Sequence, residues 1–72
     1  MSNLPTFTVE VSNSGKAYNK VSEHPTTSDR AIHFFISVLD KIRPGDSARL
    51  FKDGVLVARK TPKAYFLNTD RW

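Results

Sequence analysis

The sequence predicts a small α+β domain in which one amphipathic helix packs on an antiparallel sheet, in the order ββαββ(β). An alternating apolar segment begins at Thr6, and an apolar periodicity of helical spacing runs over residues 28–42. Two further short apolar segments flank the dipeptide Asp53-Gly54, which is a strong hairpin signal. Elements of both kinds in this order are typical of one helix lying across one sheet.

Length and composition limit the kind of protein this is. The chain has 72 residues, which suits a single domain, 1–72, near the lower size limit for a single core. It has no cysteine, which excludes disulfides and thiolate metal sites and fits the reducing cytoplasm. No segment resembles a signal peptide or a membrane span, so we expect a cytoplasmic protein. The net charge of +4 favours anionic partners.

The N-terminal third predicts two strands and a loop. Over residues 6–11 every second residue is apolar, as a half-buried strand requires. Residues 12–15 have turn chemistry, because Asn and Gly tolerate positive φ, and residues 16–21 are predicted to return as a short second strand. Residues 22–28 contain a proline and several hydroxyl side chains but little apolar material, which predicts a connecting loop.

The helix is predicted to follow a cap at Ser28, with Thr27 as the alternative, because a hydroxyl oxygen there accepts a bond from a first-turn amide. It is predicted to end near Ile42, since Pro44 disfavours helical geometry before it and Gly45 lets the chain turn. At 100° per residue its apolar arc spans about 200°, which is wider than packing on one sheet needs.

The extra width of this arc predicts a partner interface formed by Ile32, Phe34 and Ile36. If it stayed in water, each such side chain would lose the roughly 1.5–3 kcal/mol of stabilisation that burial provides. The exposed arc therefore favours a homodimer or another protein partner. The alternative is that Tyr65, Phe66 or Trp72 covers it within the fold.

The C-terminal half predicts a hairpin and an edge strand. Asp53-Gly54 predicts a type I′ turn between strands over residues 47–52 and 55–60. That register pairs Phe51 with Leu56, Leu50 with Val57, and Arg49 with Ala58. It places four side chains towards the helix: Ala48, Leu50, Val55 and Val57. The opposite face receives Arg49, Phe51, Leu56, Ala58 and Lys60. After Thr61-Pro62, residues 63–67 are predicted to form an edge strand and residues 68–72 a polar C-terminal tail.

Cationic and aromatic side chains alternate in this half, and the alternation is its main functional signal. Cations attract phosphates, and an exposed ring stacks on a base with about 1–3 kcal/mol. We therefore expect a DNA- or RNA-binding surface formed by Arg49, Phe51, Lys52, Arg59, Lys60, Lys63 and Tyr65. The alternative is a sheet covered on both faces, with the cations as a solvated rim.

No pattern indicates catalysis, a metal or a cofactor. His24 and His33 have no further ligand at metal spacing, and no serine lies in a nucleophile elbow. The three glycines are isolated and form no phosphate-binding motif. The sequence thus predicts a non-enzymatic nucleic-acid-binding accessory or regulatory module, with a protein-binding regulator or inhibitor as the alternative. The small size of the chain suits an accessory or regulatory factor of the kind that phages and mobile elements encode.

Overall fold

The computed structural model describes residues 4–67, which form one five-stranded antiparallel sheet with one helix packed on it. The elements in chain order are β1 (Thr6–Ser12), β2 (Asn19–Pro25), α1 (Ser28–Lys41), β3 (Ser47–Lys52), β4 (Val55–Lys60) and β5 (Tyr65–Leu67). Across the sheet the strands follow the order β2-β1-β3-β4-β5. The predicted fold class is confirmed. Within these residues no helix is long and apolar enough to cross a membrane.

The core lies between α1 and one face of the sheet, here called the helix-side face. Its members share near-complete burial and are Phe7, Val9, Ala31, Phe35, Ala48, Leu50, Val57 and Ala58. Phe35, near the middle of the helix, is only 1% exposed. The opposite face of the sheet, here called the open face, has no helix packed on it among the described residues.

Strand β2 begins and ends later than predicted. The predicted strand at residues 16–21 and the predicted loop at 22–28 are both wrong in position, because β2 spans Asn19–Pro25. Its side chains are mostly exposed, so it carries no apolar alternation to mark it. Pairing with β1 alone defines it, and a proline is tolerated at the end of an edge strand.

Helix α1 begins at the second of the two predicted caps. The Thr27 hydroxyl oxygen accepts a bond from the Arg30 amide at 3.3 Å, so Thr27, not Ser28, is the N-cap. The helix ends at Lys41, and the amide of the C-cap residue Ile42 donates to the Val38 carbonyl at 3.1 Å. The predicted end is therefore correct to within one residue.

The connection from α1 to β3 is tied to the turn between β1 and β2 by Asp46. This side chain is 9% exposed, and its carboxylate accepts bonds from the amides of Ser14 and Arg43, each at 3.0 Å. The two loops are 32 residues apart in sequence. One carboxylate thus holds together the end of the molecule at which α1 stops.

The hairpin of β3 and β4 has the predicted turn but a different register. Asp53 and Gly54 both have positive φ, at 50° and 83°, which confirms the type I′ turn. The predicted pair Phe51 and Leu56 also forms. The register then shifts, because Val57 is an extra residue that pairs with nothing on β3.

Because of this bulge, the residues of β4 after Val57 lie on the face opposite to the predicted one. The predicted pairs Leu50 with Val57 and Arg49 with Ala58 are wrong: Leu50 pairs with Ala58, and Arg49 pairs with Arg59. Since antiparallel partners share a face, Arg59 lies on the open face, whereas Ala58 and Lys60 lie on the helix side. Val57 and Ala58 are both fully buried in the core.

The edge strand after Thr61-Pro62 is confirmed but is shorter than predicted, since β5 comprises only Tyr65–Leu67. It pairs with β4, so it extends the sheet by one strand on that side. The predicted polar tail, residues 68–72, lies outside the described residues.

Candidate functional site

The structure divides the seven predicted nucleic-acid-binding residues between the two sheet faces. Three share the open face, namely Arg49, Phe51 and Arg59. Lys52 pairs with Phe7 on β1, and Lys60 pairs with Ala48 on β3. Both partners are core residues, so both lysines lie on the helix side. Tyr65 pairs with Lys60 and shares that side, and Lys63 lies in the turn between β4 and β5.

Arg49 lies near the middle of the open face and is held there by two kinds of contact. Its Nε donates to Oε1 of Glu10 at 2.6 Å, and the two residues are direct partners on β3 and β1. Its Cζ lies 3.7 Å from the centroid of the Tyr18 ring and 5.2 Å from that of Phe51. The ion pair and the cation–π contacts together fix the guanidinium in one orientation.

Sequence reasoning missed two residues of this face, Glu10 and Tyr18, and it left Phe66 out of the predicted binding surface although Phe66 belongs to the same basic and aromatic segment. Glu10 lies on the polar side of the predicted first strand, but only the pairing of β1 with β3 brings it to Arg49. Phe66 pairs with Arg59 across β4 and β5 and is 42% exposed. The predicted edge strand over residues 63–67 was the available signal for Phe66, and it did not give the face.

A second ion pair lies on the β2 side of the open face. Lys20 Nζ is 2.9 Å from Oε1 of Glu23, and the Thr8 hydroxyl donates to the other carboxylate oxygen at 3.1 Å. The Lys20 hydrogen bond, with help from Thr8, holds the pKa of Glu23 below its ordinary value. Both partners of the pair are about half exposed, so solvent weakens it.

The open face therefore carries a slight excess of positive charge and a row of rings. Arg59 is exposed and has no ion-pair partner within residues 4–67. Phe51 and its cross-strand neighbour Leu56 are half-buried, so each retains surface that a ligand can contact. Tyr18 is half-buried as well, under the Arg49 guanidinium.

The predicted partner interface does not form one patch. Phe34 and Ile36 are 40% and 47% exposed, whereas Ile32 is half-buried. Each residue of a helix advances about 100° around the axis, so Phe34 and Ile36, which are two residues apart, lie about 200° apart on opposite flanks. Ile32 and Ile36 share a flank with Leu39, which borders a cavity of about 390 Å³ beside Lys60.

That cavity is lined by Leu39 from α1 and by Lys60 and Pro62, so the Leu39 end of this flank lies beside the end of β4. On the helix side of β4 and β5, Val55, Tyr65 and Leu67 are also exposed. Tyr65 and Phe66 therefore do not close the core over this flank, and Trp72, the third predicted cover, lies outside the described residues. These exposed apolar side chains lie on α1 and on the helix side of β4 and β5, apart from the open face.

Among residues 4–67, no three His, Cys, Asp or Glu side chains come together as a metal site requires. Comparisons of this chain with protein-family models, with curated proteins and with solved structures found no match. The function is therefore inferred from the geometry of the open face and of the exposed apolar side chains on the helix side.

Proposed function

We propose that this protein is a small, non-enzymatic accessory or regulatory module of the cytoplasm that binds nucleic acid through the open face. One observation carries the proposal: Tyr18, Phe51 and Phe66 lie on that face interleaved with Arg49 and Arg59. Rings offer bases a stacking platform, and Arg59, which has no ion-pair partner within residues 4–67, attracts the phosphates that link them.

Such a face favours single-stranded over double-stranded nucleic acid. A ring stacks only on a base whose face is accessible, and in a duplex the faces are covered by neighbouring base pairs. Strands of a sheet lie about 4.8 Å apart, so Phe51 on β3 and Phe66 on β5, which are two strands apart, are far enough from each other to contact two different unstacked bases. The ion pairs within the face keep its excess charge small, which makes stacking the larger contribution.

The first test is titration of fluorescently labelled single-stranded and double-stranded oligonucleotides at several salt concentrations. We expect single strands to bind more tightly, with a log-log salt slope of about −0.7 per phosphate contacted. No binding below about 100 μM at low salt would reject the proposal, because even non-specific binders reach that affinity.

Matched variants locate the binding face. Phe66→Ala should weaken binding about 5- to 150-fold, the equivalent of losing one stacked base. Phe34→Ala removes a ring of similar exposure, 40% against 42%, from the helix and should leave affinity unchanged. Arg59→Ala should flatten the salt slope by about one contact, whereas Lys41→Ala, with the same loss of charge on the helix, should not. Equal effects of both members of a pair would place binding elsewhere.

A second candidate function, docking onto another protein as a regulator or inhibitor, is favoured by exposed apolar side chains on α1 and on the helix side of β4 and β5. Ile36, Val55 and Leu67 are each more than 40% exposed. Ile36→Ser should change the free energy of unfolding of dilute monomer by less than about 1 kcal/mol while abolishing any dimer seen by sedimentation. A loss above 2 kcal/mol would identify Ile36 as core.

A further inference from the structure

The Glu10–Arg49 pair places a hydrogen-bond acceptor directly beside a hydrogen-bond donor on the open face. Nε of Arg49 and Oε1 of Glu10 are 2.6 Å apart, and the side chains remain 35% and 22% exposed respectively. The Tyr18 ring supports the guanidinium at 3.7 Å. The pair is thus both fixed in orientation and accessible to a ligand.

This arrangement is poorly suited to a phosphate. A carboxylate in contact with the guanidinium neutralises its charge and repels a second anion that approaches. Arg59, on the same face, has no such partner within the described residues and is the better phosphate contact. The ligand of the Glu10–Arg49 pair should therefore be neutral and should offer both donors and an acceptor.

Among the bases, guanine meets this requirement on its Watson–Crick edge. There O6 is an acceptor for the guanidinium, and the adjacent N1–H and N2–H are two donors for one carboxylate. Cytosine offers one donor beside two acceptors, adenine lacks a second donor, and uracil or thymine offers a single donor between two acceptors. Only an unpaired base exposes this edge.

We infer that the Glu10–Arg49 pair recognises the Watson–Crick edge of a guanine in a single strand, with Glu10 accepting from N1–H and N2–H and Arg49 donating to O6. The inference rests on the proposed function and adds base specificity to it. It makes Glu10 and Arg49 specificity-determining residues, and it makes Tyr18 a positioning residue that holds the guanidinium.

Base analogues in the parent protein test the inference without any mutation. The probe is a labelled oligothymidine with one central guanine, adenine, cytosine, hypoxanthine or 7-deazaguanine, measured by fluorescence anisotropy. Guanine should bind roughly 5- to 150-fold more tightly than adenine or cytosine, as a good bidentate contact provides. Hypoxanthine, which lacks the N2 amino group, should lose several-fold, while 7-deazaguanine should bind as guanine does because N7 is not used.

Each contrary result has a distinct meaning. Equal affinity for all five probes would overturn the inference and leave the proposed function standing. A loss with 7-deazaguanine but not with hypoxanthine would show recognition of the other edge and also overturn it. No binding of any probe at low salt would reject the proposed function itself.

A pair of variants with the same change of charge completes the test. Glu10→Gln should remove the guanine preference and steepen the salt slope, because Arg49 is then available to a phosphate. Glu23→Gln changes the other carboxylate of the open face, which is paired with Lys20, and should keep the preference. A purely structural role of Glu10 would instead lower affinity for every probe equally, which would contradict the inference.

Discussion

Asp46→Ala should destabilise the fold more than any other exchange of a charged residue for alanine within residues 4–67. Asp46 is only 9% exposed, and its carboxylate accepts hydrogen bonds from the amides of Ser14 and Arg43, each at 3.0 Å. The change to alanine leaves both amides without this partner. A hydrogen bond to a charged group contributes about 1.5–3 kcal/mol. Ser14 and Arg43 are both exposed, so water replaces part of each bond, and the expected total is about 2–4 kcal/mol instead of the roughly 3–6 kcal/mol of two full bonds.

That loss is a large part of the stability of a domain this small, which is roughly 4–11 kcal/mol for a chain of this length. Urea denaturation followed by far-ultraviolet circular dichroism gives the free energy of unfolding directly. Asp40→Ala removes the same charge from the exposed surface of α1 and should cost less than 0.5 kcal/mol. If Asp46→Ala were equally mild, Asp46 would not hold the two loops together.

The remaining predictions concern the turn, the core and the open face. Gly54→Val should lower the free energy of unfolding, measured by urea denaturation, by at least 1 kcal/mol, because φ at Gly54 is +83° and a β-branched residue is strained there. Space is not the cause, since nothing lies within 4 Å of a new Cβ. Gly54→Asn is the control, because asparagine tolerates this φ. Phe35→Ala should lower the free energy of unfolding by about 3–5 kcal/mol, since Phe35 is 1% exposed. An unfolded variant would agree with this, whereas a loss below about 1 kcal/mol would place Phe35 outside the core. The carboxylate of Glu23, whose pKa the Lys20 hydrogen bond lowers, should titrate by NMR below its ordinary value of 4.5. Its contact with Lys20 then contributes at neutral pH and is lost as the pH falls through that lowered pKa; titration at or above 4.5 would mean the contact is absent in solution.

The features that sequence reasoning placed correctly are local. The type I′ turn follows from two adjacent residues, Asp53 and Gly54, and the end of the helix from Pro44 and Gly45 a few residues beyond it. Strand β1 shows its alternation because both of its neighbours are strands and one face meets the core. Strand β2 was misplaced because an exposed edge strand is defined by its partner's backbone, which leaves little pattern in its own sequence.

The candidate site depends on pairings that are remote in sequence. Glu10 meets Arg49 across 39 residues, and nothing near either residue selects that register over one shifted by two. A shift of two would preserve every face and so satisfy the same apolar pattern. The sequence therefore identified Arg49 and Phe51 as members of a surface but could not identify the carboxylate or the ring that hold the guanidinium.

The bulge at Val57 links the packing of the core to the chemistry of the open face. By turning both Val57 and Ala58 inwards, it gives β4 two consecutive core residues and brings Arg59, instead of Lys60, to the open face beside Phe66. A guanidinium is planar and can stack on a ring or a base while it donates in its plane, whereas an ammonium is a strongly hydrated point charge. The four consecutive apolar residues 55–58 were the sequence signal for this bulge, because an uninterrupted strand with one open face would alternate there. The same extra residue that fills the core thus places a cation suited to stacked, single-stranded bases on the face proposed to bind them.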